Sequence, residues 1–382
     1  FAFVNLVVGS SAFVIGGILV PLAADLGIGL ASAGQAMTAY ALSTAVLAPL
    51  MLLLTGRWSR RHAMVVALLL FAGGSAVCAS AANLPLLLAG RVLMGAGAVF
   101  TPIAAGIAVA LVPPEQMGRA LSRVFIGMSL SYVVGVPLGS WMGLAYGWHA
   151  PLWLFTGLTL ATAAWLAFLV PARLQAPGAS FEGVGALLVR RDVLAVLALT
   201  LAYFVAIFAV FSYIGPVMQA LVPMSPQRQA LTLALFGVAG VVGTVLGGFL
   251  NDRLAPRPLL AVQLSMLGFS MSVLPLTAGS WPALMAALAT WGVAGFGMMT
   301  PQQARLAALA PRQAPLLLSL NASMLYLGTA LGAVVGGGAV THLGPAQLGW
   351  VGVPFVALGL AILRFGHTSG AAAITAREEH SS

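Results

Sequence analysis

The sequence predicts an all-α integral membrane protein of about twelve transmembrane helices arranged as two parallel-repeat six-helix bundles. Three observations carry that prediction. Of the 382 residues, 61% are hydrophobic and 6% are charged, where soluble domains carry roughly a quarter charged residues. Mean hydropathy is +1.05. Apolar runs of about 20 residues, the length a bilayer requires, follow one another with short polar punctuation. The composition excludes a soluble globular protein. A pI near 11.0 would suit nucleic acid only with a basic, aromatic-interleaved face on a soluble fold, and no such face is present, so nucleic acid is not an expected partner.

The spans follow in order. Span 1 covers about residues 1 to 23 and stops before Asp25; span 2 covers 31 to 54 and ends at Gly56-Arg57. Span 3, 63 to 82, begins after Arg60-Arg61-His62, and span 4, 85 to 112, ends at Pro113-Pro114-Glu115. Span 5 runs 121 to 145 after Arg119, and span 6 runs 150 to 171. Span 7, 193 to 221, follows Arg190-Arg191-Asp192, and span 8, 229 to 250, lies between Arg228 and Asp252-Arg253. Spans 9 to 12 cover 258 to 277, 281 to 307, 315 to 341 and 347 to 366.

All 16 basic residues are arginines, and fourteen fall in alternate loops or at the chain ends: after spans 2, 4, 6, 8, 10 and 12. Positive charge collects on the cytoplasmic side, so both termini are expected there, in a bacterial-type inner membrane. The opposite side carries Arg228, and Arg91 is left inside a span. The connection 172–192 is polar enough to leave the membrane, which divides the chain into a first bundle (1–171), a linker (172–192), a second bundle (193–366) and a tail (367–382). The chain opens at Phe1, already apolar and without a methionine, so a short preceding piece is expected rather than a signal peptide. Cys78 sits in an apolar run and reads as a small packing residue. A monomer in membrane lipid is the expected state.

An internal repeat supports the division. Thr101-Pro102 in span 4 is matched by Thr300-Pro301 in span 10, and Pro114 by Pro311. The glycines 135, 139 and 143 of span 5 correspond to Gly332 and Gly336 of span 11, and Gly56 to Arg61 parallels Gly248 to Arg253. An offset near 195 residues means duplicated halves in the same orientation, a plan of secondary transporters that hold substrate between the halves.

Four stretches resemble the signature motifs of the major facilitator superfamily over essentially the whole chain. They are Gly56-Arg-Trp-Ser-Arg60-Arg61, Gly248-Phe-Leu-Asn-Asp252-Arg253, Arg91-Val-Leu-Met-Gly95-Ala-Gly97 and Gly135-Val-Pro137-Leu-Gly139. Pro21 to Asp25, Ala33-Gly34-Gln35, Thr38 to Leu42 and Pro113-Pro114-Glu115 look like the drug:proton antiporter and arabinose-efflux branch. The resemblance implies a gate at the arginine-rich helix ends, with the motif glycines allowing close helix approach and Asp252 with Arg253 forming a charge pair. A structural ion pair is the alternative. Arg60 stands where the first motif has an acid, so the latch between spans 2 and 11 is lost or rebuilt. The resemblance further implies a part for Arg91 in proton coupling and, from the span 5 series Gly135, Pro137 and Gly139, export. Close packing of spans 5 and 8 is expected of that series in either case.

Physically, a charge within a span must face a cavity or a polar partner; Arg91 has Asp25 as its natural partner, or else snorkels to the outer interface. Asp25 is a proton carrier or a loop residue, with Glu115 and Asp252 the other acids available. Polar and aromatic residues in mid-span mark a candidate substrate cavity: Phe13, Gln35, Tyr40, Phe100, Tyr132, Tyr203, Phe208, Trp291, Met298, Gln302, Asn321 and Tyr326. Each is alternatively a packing or lipid-facing residue. Trp141, Trp148 and Trp153 read as interfacial belt. No phosphate-binding GxxxxGK[ST] loop occurs, the five histidines share no ligand spacing, and no catalytic set assembles, so neither cofactor nor metal nor enzyme activity is expected. The leading expectation is proton-coupled efflux, by alternating access, of a small organic solute that is drug-like, amphipathic or sugar-like, with multidrug resistance among the roles this would serve. Uncoupled facilitative import and a non-transporting signalling or scaffold role are the alternatives.

Overall fold

A computed structural model describes residues 1–113, 116–171 and 184–365. Glu115, most of the expected linker and the whole expected tail lie outside the described residues. The spans are α1 (Ala2–Phe13 with Ile15–Asp25), α2 (Leu30–Leu54), α3 (Arg60–Ala79), α4 (Leu84–Ala110), α5 (Arg119–Tyr146) and α6 (His149–Leu169), then α7 (Arg191–Phe211 with Ile214–Leu221), α8 (Pro226–Asn251), α9 (Pro256–Thr277), α10 (Trp281–Leu309), α11 (Ala314–Leu343) and α12 (Leu348–Phe365). Eleven of these are each long and apolar enough to cross a bilayer, and the bent pair of α1 makes a twelfth. Several starts are fixed in water by side-chain caps followed by proline. Asn83 accepts from the Leu86 N–H ahead of Pro85, and Ser225 from the Arg228 N–H ahead of Pro226, each satisfying an otherwise unpaired helix donor.

The repeat is visible in the packing. In the first half α1 lies on α5, α2 on α4, and α3 on both α4 and α6; in the second half α7 lies on α11, α8 on α10, and α9 on both α10 and α12. The halves meet through the related pairs α2 with α11 and α5 with α8. Even the turns correspond: Gly147 after α5 and Gly344 after α11 have φ of 94° and 80°, a left-handed region that a side chain would strain.

The glycine series of α5 does not face α8 as expected. A methyl group at Gly135 would overlap Ser10, at Gly139 it would meet Val14 at 2.6 Å, and at Gly143 it would overlap Ile18, so the ladder closes on α1. The counterpart in α11 closes on α7, where Gly328, Gly332 and Gly336 lie against Phe204, Val205 and Ala209. Contact between α5 and α8 is made instead by Gly237 against the Tyr132 backbone.

Helix breaks sit at the centre. The two pieces of α1 meet at 42° around Val14. In α5 the backbone widens into a π-turn at Ser131–Gly135, directly before Pro137, which has no N–H to offer the Val133 carbonyl. In α1 Pro21 likewise leaves the Gly17 carbonyl without its helical partner.

Candidate functional site

The middle of the molecule is built of rings contributed by both halves. Phe13 of α1 stacks on Tyr132 of α5 at 5.3 Å between centroids and lies 5.9 Å from Phe208 of α7. Tyr132 meets Phe296 of α10 edge-on at 5.0 Å and Phe211 of α7 at 5.7 Å. Tyr40 of α2 touches Tyr326 of α11 and Phe13, each at 6.4 Å. Phe236 of α8 joins Phe296 at 5.9 Å and Trp291 at 5.4 Å. The cluster therefore offers π-faces and a few hydroxyls.

Of the sequence-predicted cavity residues, Phe13, Tyr40, Tyr132, Phe208, Trp291 and Tyr326 come together here. The others do not. Gln35 donates to its own helix at Ala31, the buried Phe100 ring packs by Phe1 at 6.5 Å, and Met298 is buried at the break in α10. Tyr203 lies at the cluster's margin, packing on Phe204 at 4.8 Å, which stacks on Phe208 at 5.9 Å, and it turns its hydroxyl away to the Met299 sulfur. Gln302 and Asn321 bind other helices: the Gln302 amide donates to Thr200 Oγ1 and the Val196 carbonyl, and Thr200 donates to Asn321 Oδ1 at 2.6 Å. A matching knot ties the first half, where Thr101 donates to Asn5 Oδ1 and Asn5 Nδ2 donates to the Val124 carbonyl. Sequence reasoning missed Phe204, Phe211, Phe236 and Phe296; the spacing of Phe204, Phe208 and Phe211 along one face of α7 is a signal that finds two of them.

Arg91 is fully buried and does not snorkel. It donates to the carbonyls of Ala12 (2.7 Å), Ala36 (3.1 Å) and Ser11 (3.3 Å), and its guanidinium lies 5.1 Å from the Tyr40 ring centre. Ser11 and Ala12 belong to the last turn before the α1 break, so the cation caps the end of a half-helix and faces its negative dipole. Asp25 is not its partner. The Asp25 carboxylate accepts from Trp148 Nε1 at 2.9 Å and lies 3.9 Å from His149 Nε2, at the end of α1 away from the arginine-rich face. Trp148 is accordingly buried and not a belt residue, whereas Trp153 is half exposed.

The gate motif differs from expectation. Asp252 and Arg253 form no ion pair among the described residues; Arg253 lies 4.1 Å over the Phe249 ring. Both residues lie in the turn that follows α8, past its last helical residue Asn251. Nothing lies close to Gly248, and it is Gly247 whose missing side chain admits the Gly297 carbonyl. Gly56 lies against only its own helix end at Leu53, Arg60 is buried and Arg61 half-buried. Near the start of α7 Arg190 donates to Asp192 at 2.7 Å, and that hydrogen bond raises the Arg190 pKa above its ordinary value.

On the face opposite the arginine-rich ends the halves are closed. Gln229 of α8 crosses to the first half, donating to the Gly17 carbonyl at 2.8 Å and to Ser140 Oγ at 3.0 Å. The carbonyl it takes is the one Pro21 leaves unpaired. Beside it Gly16 of α1 faces Phe211 and Gly215 of α7, and Tyr213, in the break of α7, packs its ring against Gly34 of α2 while donating to Ala333 of α11 at 2.9 Å.

The sequence matches a family profile described as Major Facilitator Superfamily over residues 1–301 and 223–380. It is 32% identical to a chloramphenicol resistance protein of Streptomyces lividans, covering 93% of this chain and 92% of the relative. It is 30% identical to the inner membrane transport protein YdhP of Escherichia coli K12, covering 93% and 91%. A solved structure of a bacterial homologue of the human lysosomal transporter Spinster, inward-facing and occupied, superposes with a TM-score of 0.81 at 16% identity, over 96% of this chain and 95% of that one.

Proposed function

The chain belongs to the major facilitator superfamily and is a membrane transporter, and from that premise we propose that it exports a small, flat or amphipathic organic solute by alternating access, coupled to inward movement of protons. The observation that carries the reading is the ring cluster shared by both halves. A strongly charged solute would find no counter-charge there, because Arg91 is saturated by carbonyls and by the Tyr40 face, whereas an aromatic solute replaces ring–ring contacts with equivalent ones. Similarity to a chloramphenicol resistance protein supports both the solute class and the outward direction, and similarity to an inner membrane transport protein supports the location.

In this mechanism solute enters from the arginine-rich side and lodges between Phe13, Tyr132, Phe208 and Tyr326. The halves then rock about the α2–α11 and α5–α8 seams until the contacts around Gln229 and Tyr213 part. Protonation of Asp25 removes the anion that Trp148 and His149 hold and frees the outer end of α1. The movement reaches Arg91, which ties α4 to α1 through Ser11 and Ala12 and to α2 through Ala36.

The test is efflux into inverted vesicles with and without a proton gradient, using chloramphenicol and aromatic dyes as probes. Gradient-driven accumulation that falls at least tenfold in Arg91→Ala and in Asp25→Asn supports coupled export. Unchanged gradient-driven transport in both variants removes the coupling proposal, and transport indifferent to the gradient in the unaltered protein leaves a facilitator.

A further inference from the structure

Away from the ring cluster, a cavity of about 1180 Å³ opens at the arginine-rich ends of α7, α9, α10 and α12. Its charged lining is Arg257, Arg305 and Arg364 with the single acid Asp192. That acid is already engaged, since Arg190 holds it at 2.7 Å. Arg257 spends one nitrogen on the Leu363 carbonyl at 2.6 Å, and the Arg364 guanidinium lies 5.9 Å from the Phe365 ring centre. Arg305 is close enough to Arg257 for the two like charges to repel, and its Nη1 is buried without a hydrogen-bond partner among the described residues. Three guanidiniums thus share one hollow with no free counter-charge among the described residues, an arrangement that costs energy when empty.

The repeat sharpens the point. Arg305 lies five residues beyond Thr300, and the residue five beyond the matching Thr101 is Gly106. The first half builds the same helices without this charge, so the fold does not demand it. Depth also matters. Arg257 stands in the first turn of α9, Arg364 in the last of α12 and Arg305 four residues from the end of α10, at the level of headgroups in a bilayer. Toward the membrane centre the wall becomes apolar through Ala261, Leu360 and Leu363.

We propose that this cavity binds an anionic phospholipid, its phosphate held by Arg305, Arg257 and Arg364 and the start of its acyl chains laid along Leu360 and Leu363. Arginine forks fit phosphate oxygens in pairs, and basic pockets between transmembrane helices at a membrane surface bind anionic headgroups. The site is independent of the transported solute.

The full chain is placed in phosphatidylcholine nanodiscs with increasing phosphatidylglycerol, and bound lipid is counted by native mass spectrometry alongside the thermal unfolding midpoint. The expected result is saturable retention of phosphatidylglycerol with a raised midpoint. Affinity should fall about fivefold for each of Arg305→Gln and Arg364→Gln and stay unchanged for Arg57→Gln, an exposed arginine elsewhere on the same face. Equal loss in Arg57→Gln overturns the proposal by showing only general surface charge. The same midpoint shift from inorganic phosphate in phosphatidylcholine alone assigns the site to a free anion and overturns the lipid. Binding that appears only after removal of residues 367–382 shows that the chain's own tail fills the cavity, and overturns it too.

Discussion

Arg91 shows how a single charge can be stable deep in a bilayer without an acid. Its counterpart is the end of a broken helix, whose free carbonyls supply the negative potential that a carboxylate would otherwise provide. Replacing it with alanine strands the carbonyls of Ser11, Ala12 and Ala36, each a loss of about 1–3 kcal/mol if water does not enter. We expect Arg91→Ala to lower the thermal midpoint in detergent and to abolish transport, and Arg91→Lys, which keeps the charge but has fewer directed donors, to fall between. The sequence made Arg91 conspicuous, because an arginine inside an apolar run must have a reason. Its partners are not legible there: they are backbone atoms 55 to 80 residues away in the chain, and a carbonyl has no letter in the sequence. The pairing with Asp25 was the natural guess because only side-chain charges can be read.

At the scale of the helix, the spans themselves are legible in the sequence because bilayer thickness sets a length that hydropathy reveals, and their observed ends fall within a few residues of expectation. The breaks are less so. Pro137 signals a distortion in α5, but the π-turn it accompanies occupies the preceding residues, and the bend at Val14 has neither proline nor glycine at the bend itself, Pro21 lying seven residues downstream. Which neighbour a glycine ladder faces is also hidden, since spacing defines a face and not what lies against it. Two predictions belong here. Pro137→Ala restores a donor to the Val133 carbonyl and should tighten the π-turn, raising the thermal midpoint while slowing efflux, because Tyr132 is carried by that turn. Gln229→Leu keeps the bulk and removes the bonds to Gly17 and Ser140; the outer ends should then separate more often. Spin labels at Gly29→Cys in α2's approach and Thr341→Cys in α11, on a Cys78→Ala background, should report a larger population at long distance by pulsed electron resonance, and an unchanged distribution overturns the role given to Gln229.

For the molecule as a whole, duplicated packing explains why so few residues specify so much. The same helix pairs recur in both halves, and the same pair types join them, so one set of close contacts is used twice. Differences between the halves are then informative: the ring cluster draws more heavily on the second half, through Phe208, Phe211, Phe236, Phe296 and Trp291, and the triple-arginine cavity lies in that half. Orientation is a further prediction at this scale. A tag at either end should be protected from protease in intact spheroplasts and cleaved in inverted vesicles, as the distribution of fourteen arginines requires.

The outer seam has a consequence for energetics across the membrane. It is made of a neutral amide, an orphaned carbonyl, a phenol and bare glycine backbone, with no ion pair among them. Parting these contacts breaks no ion pair, so a membrane potential, which acts at about 2.3 kcal/mol per charge per 100 mV, does no work on the contacts themselves. Any dependence of the opening step on membrane potential therefore reports the groups that move with the seam, the Asp25 carboxylate and Arg91, together with the charge carried by the travelling species, rather than the polar contacts that hold it shut.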